Sequence, residues 1–284
     1  MLEVTVLPKL GARIVSLRSR QTGREWLWQA KDGRGLFPSL PGTLFEAGPL
    51  AGIDECLPTI APCVDAGRKL PDHGEAWTSS WSTEVADGTI TNQLDLECLP
   101  LRLRRRLALA GNILRLDYEL TNLGSATVRY LWALHPLLAW RPGDRIELHG
   151  NSPVQLTAVQ GGRLVAGAQG AWPEPVSGVR LDRGDLGADR GVYCKAFLDT
   201  AQAPAIALVS GGERLELTVD PTEIPHWGYW LTQEGWHGHT HLALEPTNLP
   251  AESPAEIPSG SNAGLIDAGQ ARRWSVQLTV RDGS

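Results

Sequence analysis

Short stretches of alternating apolar and polar residues run along most of the chain. A period of two is typical of β-strands with one buried face, and residues 2–8 and 12–19 predict a first hairpin of this kind. The same pattern predicts further strands at residues 77–85, 89–99, 101–110, 113–122, 126–139, 191–199, 205–210, 215–220, 227–232, 240–245 and 273–281. Because no helical period intervenes, we expect an all-β fold, a large antiparallel sandwich or barrel.

Two long segments lack a sustained period. Residues 31–71 are rich in Gly and Pro but keep many apolar residues, which predicts an ordered lid or rim rather than a disordered loop. Residues 151–188 are rich in turn-forming residues, and no strand is predicted there. No repeat or linker divides the chain, so we expect one domain over residues 1–284.

Composition narrows the class of protein and of partner. The chain has 284 residues, of which 31 are Gly and 20 are Pro, as suits a globular fold with many turns. A net charge of −6 provides no bulk attraction to nucleic acid or to an anionic membrane. Neither a secretion signal nor an apolar run long enough to span a bilayer is recognised. We therefore expect a cytoplasmic monomer or homodimer that binds neither nucleic acid nor a membrane.

Cysteine and tryptophan usage add two expectations. The four cysteines show no paired spacing, so reduced thiols are expected. Eleven Trp stand beside only 3 Phe and 4 Tyr. An indole can lay its flat face on the C–H face of a sugar while its N–H donates a hydrogen bond, so the excess permits a carbohydrate site. The same indoles can equally fill a β-sheet core.

Three residues are candidates for chemistry. His135 lies in the apolar run at residues 132–138 and is either a buried structural histidine or a proton-transfer group. Glu245 shares one strand face with His241, while Leu242 and Leu244 share the other, so Glu245 is either an edge charge or a cleft residue. His73 lies in an Asp-His-Gly turn beside Trp77, a turn that needs no function.

Two other patterns leave alternatives open. His237, His239 and His241 lie in a row that a metal ion could bind, although three imidazoles in line do not easily share one tetrahedral ion. Arg102, Arg104 and Arg106 share one strand face, which could hold a phosphate or sulfonate or could simply be solvated.

The local motifs of serine hydrolases, zinc proteases, dinucleotide enzymes and NTPases are not recognised in the sequence. What remains is two histidines and a glutamate, which are groups suited to proton transfer near neutral pH. We therefore predict chemistry without a metal or a cofactor.

With these residues in view, the sequence resembles the aldose 1-epimerase (galactose mutarotase-like) family, in an uncharacterised bacterial-type branch. The resemblance rests on the order and spacing of six pieces: residues 11–17 (GARIVSL), 52–59 (GIDECLPT), 71–77 (PDHGEAW), 118–122 (YELTN), 132–136 (WALHP) and 244–246 (LEP). It implies an antiparallel β-sandwich of the supersandwich type with a concave sugar cleft.

The resemblance also implies roles for particular residues. Glu245 resembles the family's base, which takes the proton of the anomeric hydroxyl, and His135 resembles the acid that protonates the ring oxygen. His73 resembles the histidine that helps to bind the ring-oxygen region. Further substrate-binding residues are expected among Trp77, Trp227, Trp230, Asp220, Asp54 and Glu55.

The predicted activity is interconversion of the α and β anomers of a hexose or modified hexose. Two alternatives stay open. One is an epimerase for a sugar phosphate or sulfonate that uses the row of arginines, and the other is a carbohydrate-binding module without turnover. The chain departs from the family pattern with Leu137-Leu138 after His135-Pro136 and with Asp72 before His73, which leaves the identity of the sugar open.

Overall fold

Strands make up about half of the described residues. The computed structural model describes residues 1–148, 150–201, 203–258 and 260–282. Its first ten strands are β1 (Leu2–Leu7), β2 (Arg13–Ser19), β3 (Ile53–Cys56), β4 (Cys63–Asp65), β5 (Arg68–Leu70), β6 (Ser82–Ala86), β7 (Thr89–Asp95), β8 (Leu101–Ala110), β9 (Ile113–Asn122) and β10 (Val128–Arg129). They are followed by β11 (Ala133–Leu138), β12 (Arg145–Leu148), β13 (Pro153–Gln160), β14 (Gln169–Ala171), β15 (Val192–Asp199), β16 (Ala205–Ser210), β17 (Glu213–Val219), β18 (His226–Trp236), β19 (His239–Thr247), β20 (Leu265–Ile266) and β21 (Ala271–Asp282).

Helical structure is limited to short turns. Three 3-10 helices, η1 (Phe45–Ala47), η2 (Leu181–Arg183) and η3 (Pro254–Glu256), interrupt the strands of the described ranges. Within those ranges, no helix has the length and apolar character that a membrane crossing requires.

The strands assemble into two large antiparallel sheets. The nine-stranded sheet has the order β1-β2-β3-β11-β19-β18-β15-β13-β14, and the eight-stranded sheet has the order β12-β16-β17-β21-β9-β8-β7-β6. The pairs β4-β5 and β10-β20 form two small two-stranded sheets. The meander predicted from the ten-residue spacing is the run β6-β7-β8-β9, in which each strand pairs with the next. The predicted antiparallel sandwich is confirmed.

The two large sheets pack face to face through alternate residues of their strands. Leu101 and Leu103 of β8 contribute to the same buried cluster as Leu134 and Leu138 of β11. Each such side chain stabilises the fold by about 1.5–3 kcal/mol when it leaves water. The intervening residues point away from this core, and on the nine-stranded sheet they form the surface that carries the candidate site.

A buried charge also joins the two sheets. The Glu55 carboxylate of β3 accepts hydrogen bonds from Arg105 on β8, from Tyr118 on β9 and from the indole of Trp132, at 2.8, 2.9 and 2.8 Å. Arg105 and Glu55 are both completely buried. Burial raises the pKa of Glu55, and the nearby Arg105 guanidinium opposes that rise. Glu55 is thus a structural residue between the sheets.

The two segments for which no strands were predicted both contain strands, which corrects the sequence interpretation. Within residues 31–71, β3 lies between β2 and β11 inside the nine-stranded sheet, and all four of its residues are buried. A period of two is invisible in so short a strand when a charged residue is buried on each face. Within residues 151–188, β13 and β14 form one edge of the same sheet.

Two predicted strand boundaries also need correction. Trp77 precedes β6 in a segment of turns, held by hydrogen bonds such as that from the Thr78 N–H to the Glu75 carbonyl. The predicted strand at 126–139 is two strands, β10 and β11, which belong to different sheets. In both cases the apolar pattern continues through residues that are buried but do not pair as a strand.

Candidate active site

The site lies on the face of the nine-stranded sheet that points away from the core. On β11, the period of two places Leu134 and Leu138 in the core and His135 on the opposite face. His135 pairs across the strands with Asp54 of β3. On its other side, the register of β11 with β19 places His135 level with Glu245. Strand register therefore brings together three residues that are up to 191 positions apart in sequence.

His135 is held by a buried chain of charges. Its Nδ1 lies 3.0 Å from Asp54 Oδ1, and Asp54 Oδ2 lies 2.8 Å from an Arg13 nitrogen. Arg13 is completely buried and also donates to the carbonyls of Pro49 and Ala51. Burial alone would raise the pKa of Asp54, but the charges of Arg13 and His135 hold it below its usual value. An ionised Asp54 accepts the Nδ1–H, so the other nitrogen, Nε2, is free for chemistry.

Glu245 presents one oxygen to a lysine and the other to His135. Its Oε2 lies 2.6 Å from Lys195 Nζ, and its Oε1 lies 3.8 Å from His135 Nε2. Oε1 is buried and has no hydrogen-bond partner among the described residues. Burial alone would raise the pKa of Glu245, but the Lys195 and His135 charges hold it below the usual range. Glu245 is therefore an ionised carboxylate with one unused acceptor.

His73 reaches the same place from a strained turn. It adopts a φ of 55°, which is uncommon for a residue with a side chain, and Gly74 follows with a φ of 73°. A Cβ on Gly74 would lie 2.0 Å from the Leu57 carbonyl oxygen, so this turn requires glycine. The His73 ring stacks on Phe45 at 4.0 Å, and its centroid lies 5.3 Å from that of His135.

A carboxylate also orients the second imidazole. His73 Nδ1 lies 2.8 Å from Asp72 Oδ1, and Asp72 Oδ2 accepts the backbone N–H of Phe45 at 2.8 Å. Burial alone would raise the pKa of Asp72, but the hydrogen bond with His73 holds it below its usual value. Asp72 thus couples the His73 turn to the 3-10 helix η1, and Phe45 of that helix covers both histidines.

These groups line one cavity of about 250 Å³. That volume lies just below the usual range for small-molecule sites, about 300–1,000 Å³. Six apolar and six ionisable residues line the wall: Phe45, Ile60, Leu137, Ala158, Trp230 and Trp236, together with His73, His135, Lys195, His241, Glu245 and Glu252. The cavity suits a single small polar molecule that has an apolar face.

The structure brings His73, His135, Glu245 and Trp230 into this cavity. Two further predicted residues lie behind its lining. Asp54 holds His135, while Trp77 packs against Phe45 and donates its indole N–H to the Asp72 carbonyl at 2.9 Å. Both support the site without lining the cavity.

Three predicted substrate-binding residues lie elsewhere, which corrects those expectations. Glu55 and Trp227 occupy the core face of their strands, where Trp227 donates to the Ala203 carbonyl at 2.9 Å. The period of two explains this, because Asp54 and Glu55, like Trp230 and Trp227, point to opposite faces of the sheet. Asp220 lies in an exposed turn, where its side chain accepts from Thr222.

The basic row lies on the other sheet and faces outward. Leu103 and Arg105 of β8 point into the core, so Arg102, Arg104 and Arg106 point to the surface. Arg102 pairs with Asp95 at 2.6 Å, and Arg106 lies 3.8 Å from Asp117. These arginines do not line the cavity.

Several residues of the site were not predicted from the sequence. They are Lys195, Glu252, Phe45, Trp236, Leu137, Ile60 and Ala158 in the lining, together with Arg13 and Asp72 behind it. Lys195 did leave a signal, because it interrupts an apolar strand at a position where the neighbours Cys194 and Ala196 are buried in the core. The loop residues left none, because the tertiary fold alone brings them to the cavity.

Two groups of donor atoms bear on metal binding. Donor atoms of Cys56, His73 and His135 lie within 4.8 Å of one another. Burial and nearby carboxylates raise the pKa of the Cys56 thiol well above its usual value, which opposes the thiolate form that metal ions bind. The predicted row does not converge, because His237 instead bonds Glu46 at 2.8 Å while His241 is buried against Trp28. We assign no metal site to either group, and all four cysteines are free thiols.

Comparison with solved structures identifies the fold. The Slr1438 protein of Synechocystis sp. PCC 6803 superposes with a TM-score of 0.74 over 100% of this chain and 95% of its own, at 16% identity. A protein from Escherichia coli K12 provisionally named an aldose 1-epimerase gives 0.72 over 99% and 96%, also at 16%. A galactose mutarotase related enzyme from Lactobacillus acidophilus gives 0.70 over 100% and 96%, at 16%.

The chain has the galactose mutarotase-like fold. At these identities the similarity establishes the fold alone. Compared by sequence, the chain matches no protein-family model and no curated protein.

Proposed function

We propose that the protein is a cofactor-independent mutarotase that interconverts the α and β anomers of a monosaccharide. The observation that carries the proposal is the pair formed by Glu245 Oε1 and His135 Nε2, 3.8 Å apart at one cavity. The anomeric hydroxyl and the ring oxygen of a pyranose are bonded to the same carbon. A base and an acid this close together can therefore serve both oxygens of one sugar.

The reaction needs two proton transfers in each direction. Glu245 Oε1 takes the proton of the anomeric hydroxyl while protonated His135 gives its Nε2 proton to the ring oxygen. The C1–O5 bond breaks, and the new carbonyl at C1 turns about the C1–C2 bond. Reclosure reverses both transfers, so that Glu245 ends ionised and His135 ends protonated. Atoms, charges and protons all balance without a cofactor.

Carboxylates flank the His135 imidazole on both sides. Asp54 lies on one side of the imidazole and Glu245 on the other, at 3.0 and 3.8 Å. The contact of Nδ1 with Asp54 fixes the orientation of the imidazole and leaves Nε2 for the sugar. His73 places a second imidazole at the same cavity, where its free Nε2 can hydrogen-bond to the ring-oxygen region.

The aromatic wall supports a sugar as the ligand. Trp230 and Trp236 line the cavity, with ring centroids 6.2 Å apart and nearly perpendicular planes. A flat indole can stack on the C–H face of a pyranose while the ionisable groups bind its hydroxyls. The apolar share of the lining favours a neutral sugar over a phosphorylated or sulfonated one, and the row of arginines lies on the far sheet.

The proposal is tested by following anomer exchange in a panel of neutral aldoses that includes hexoses, pentoses and 6-deoxyhexoses. Polarimetry gives the rate after fresh dissolution of one anomer, and exchange NMR gives it at equilibrium. Acceleration above the spontaneous rate for at least one sugar, saturable in sugar concentration, is expected. Saturable binding by calorimetry together with the spontaneous rate throughout would contradict a mutarotase and favour a carbohydrate-binding module.

A further inference from the structure

Lys195 is a buried lysine at the centre of the ionisable part of the cavity. It lies on β15 between Cys194 and Ala196, whose side chains belong to the core, so its own side chain points to the cavity face. Only 7% of that side chain is exposed. A buried ammonium is costly unless it is paired, so its position calls for an explanation.

Its partners are the two carboxylates of the cavity lining. Nζ lies 2.6 Å from Glu245 Oε2 and 4.0 Å from Glu252 Oε1. Phe197, two residues along on the same face, lies beneath the ammonium with its ring centroid 5.6 Å away. The pairing is uneven, because the contact with Glu245 is a hydrogen bond and that with Glu252 is not.

The sheet leaves a gap for this contact. Strand β18 runs between β15 and β19, and its residue beside Glu245 is Gly228. A Cβ on Gly228 would lie 2.8 Å from Glu245 Oε2 and 3.1 Å from Glu245 Cβ. Glycine therefore leaves open the space in which Lys195 reaches a carboxylate two strands away.

From this arrangement we infer that Lys195 is the positioning residue of Glu245. Its ammonium holds Oε2, so that Oε1 remains directed toward His135 and the cavity, and its charge keeps the carboxyl in the basic, ionised form. The inference rests on the proposed function, since it assigns Glu245 as the base. Lys195 acts through Glu245 and has no proton-transfer step of its own.

The charges around Lys195 explain why the carboxylate needs it. Burial raises the pKa of Glu252, and Lys195 opposes that rise. Without Lys195, burial would likewise raise the pKa of Glu245. The other titratable groups that act on this cluster are His73, His135, Glu256 and the Cys56 thiol. Without Lys195, the completely buried Glu245 would lose the cation at its Oε2, and burial would favour its protonated form.

A covalent role for the lysine is not favoured. An open-chain aldose presents an aldehyde, and a neutral amine could attack it to form an imine with loss of water. Burial alone would lower the pKa of Lys195, but the carboxylates of Glu245 and Glu252 outweigh it and hold that pKa above its usual value. The ammonium has no lone pair for attack. Reductive trapping with cyanoborohydride and a turned-over aldose should give no adduct on Lys195.

The decisive experiment compares K195M, K195Q and K195R with the wild type, and K9M serves as an exposed-lysine control. Exchange rates are measured from pH 5 to pH 9, with the spontaneous rate subtracted at each pH. An opposite charge within about 4–6 Å lowers a carboxyl pKa by about 1–3 units, so the acid limb of kcat/KM should move up by about that amount in K195M and K195Q. K195R and K9M should keep the wild-type limb.

The magnitude of the rate loss should depend on pH. At pH 6 we expect kcat of K195M to fall at least about tenfold, with recovery toward pH 9 as Glu245 ionises again. KM should change less than kcat. E252Q, which retains Lys195, should not raise the acid limb. A loss that is equal at every pH, or one that matches a loss of folded protein by circular dichroism, would overturn the inference.

A second readout does not depend on turnover. With ¹³C-labelled glutamate, the carboxyl resonance that disappears in E245Q reports the ionisation of Glu245 directly. Its midpoint should rise in K195M and K195Q but not in K195R. An unchanged midpoint in K195M would overturn the inference even if the enzyme is active, whereas a raised midpoint in a protein that exchanges no sugar would leave it standing and remove only the proposed function.

Discussion

His135 Nε2 and Glu245 Oε1 lie 3.8 Å apart, and each residue is tied on its far side to a buried partner of opposite charge. Asp54 holds Nδ1 of the histidine and Lys195 holds Oε2 of the glutamate. The two groups are thereby held on adjacent strands with their free atoms toward one cavity. Each support can be tested by its own substitution.

Asp54→Asn should impair both stability and exchange. The amide can still accept from His135, but the completely buried Arg13 loses its charge partner. Breaking a buried pair in this way costs about 3–5 kcal/mol, so the free energy of unfolding in urea should fall by several kcal/mol. The exchange rate per folded molecule should also drop by about tenfold or more, because the imidazolium loses one of its two carboxylates.

Asp95→Asn is the matched control for that substitution. Asp95 pairs with Arg102 at 2.6 Å, but both side chains are about half exposed. An exposed pair contributes about 0–1 kcal/mol, and this one lies on the far sheet. Stability and exchange should stay near the wild-type values. Equal losses in the two variants would show that Asp54 has no special relation to His135.

Two tryptophans of the same strand should separate binding from folding. Trp230→Ala removes an indole from the cavity wall, so KM for the sugar should rise about tenfold while the free energy of unfolding changes little. Trp227→Ala removes a completely buried indole from the core, which should cost about 3–5 kcal/mol of stability. Its folded fraction should keep the wild-type KM. Sugar titrations and urea unfolding curves measure both effects.

The two substitutions are predicted to have different effects because Trp230 and Trp227 lie on opposite faces of β18. If Trp230→Ala left KM unchanged, the indole would not contact the ligand. If Trp227→Ala raised KM without loss of stability, the core face and the cavity face would have been assigned the wrong way round.

His241 should make the fold sensitive to mild acid. Burial lowers its pKa to about 3, whereas in the unfolded chain it titrates near 6.5. Between these values the unfolded state binds a proton that the native state does not, so stability is lost as the pH falls below about 6.5. The slope attributable to one such group approaches about 1.4 kcal/mol per pH unit.

His241→Phe keeps an aromatic ring beside Trp28, 4.4 Å from the native ring, and removes the titration. Between pH 6 and pH 4.5, the free energy of unfolding of this variant should depend on pH less steeply than that of the wild type, by about 1.4 kcal/mol per pH unit. His237→Asn, at an exposed imidazole, should retain the wild-type dependence. Parallel curves for wild type and His241→Phe would show that folding does not lower the pKa of His241.

The sequence was sufficient for the fold class and for the residues that lie on long, regular strands. Alternation over β8, β9 and β19 predicts both the antiparallel sandwich and the face on which Glu245 lies. The alternating pattern did not predict β3, a strand of four buried residues that include Asp54 and Glu55. These neighbours have unrelated roles, one behind His135 and one between the sheets, and only strand register separates them.

The rest of the site depends on contacts between distant segments. Lys195 reaches Glu245 only because Gly228 leaves a gap on the strand between them. Phe45 covers the histidines because Asp72 binds its backbone N–H. Such relations join residues that share no local period, so pattern reading along the chain cannot reveal them.

In the proposed reaction, Glu245 takes the proton of the anomeric hydroxyl while His135 gives a proton to the ring oxygen of the same sugar. The most direct measurement is anomer exchange by NMR, on the sugar that the wild type turns over fastest, for Glu245→Gln and His135→Asn, with folding checked by circular dichroism. Both variants should remain folded. Their exchange rates should fall by at least about a hundredfold, as expected for loss of a general base or acid. Wild-type exchange rates in both folded variants would contradict the account.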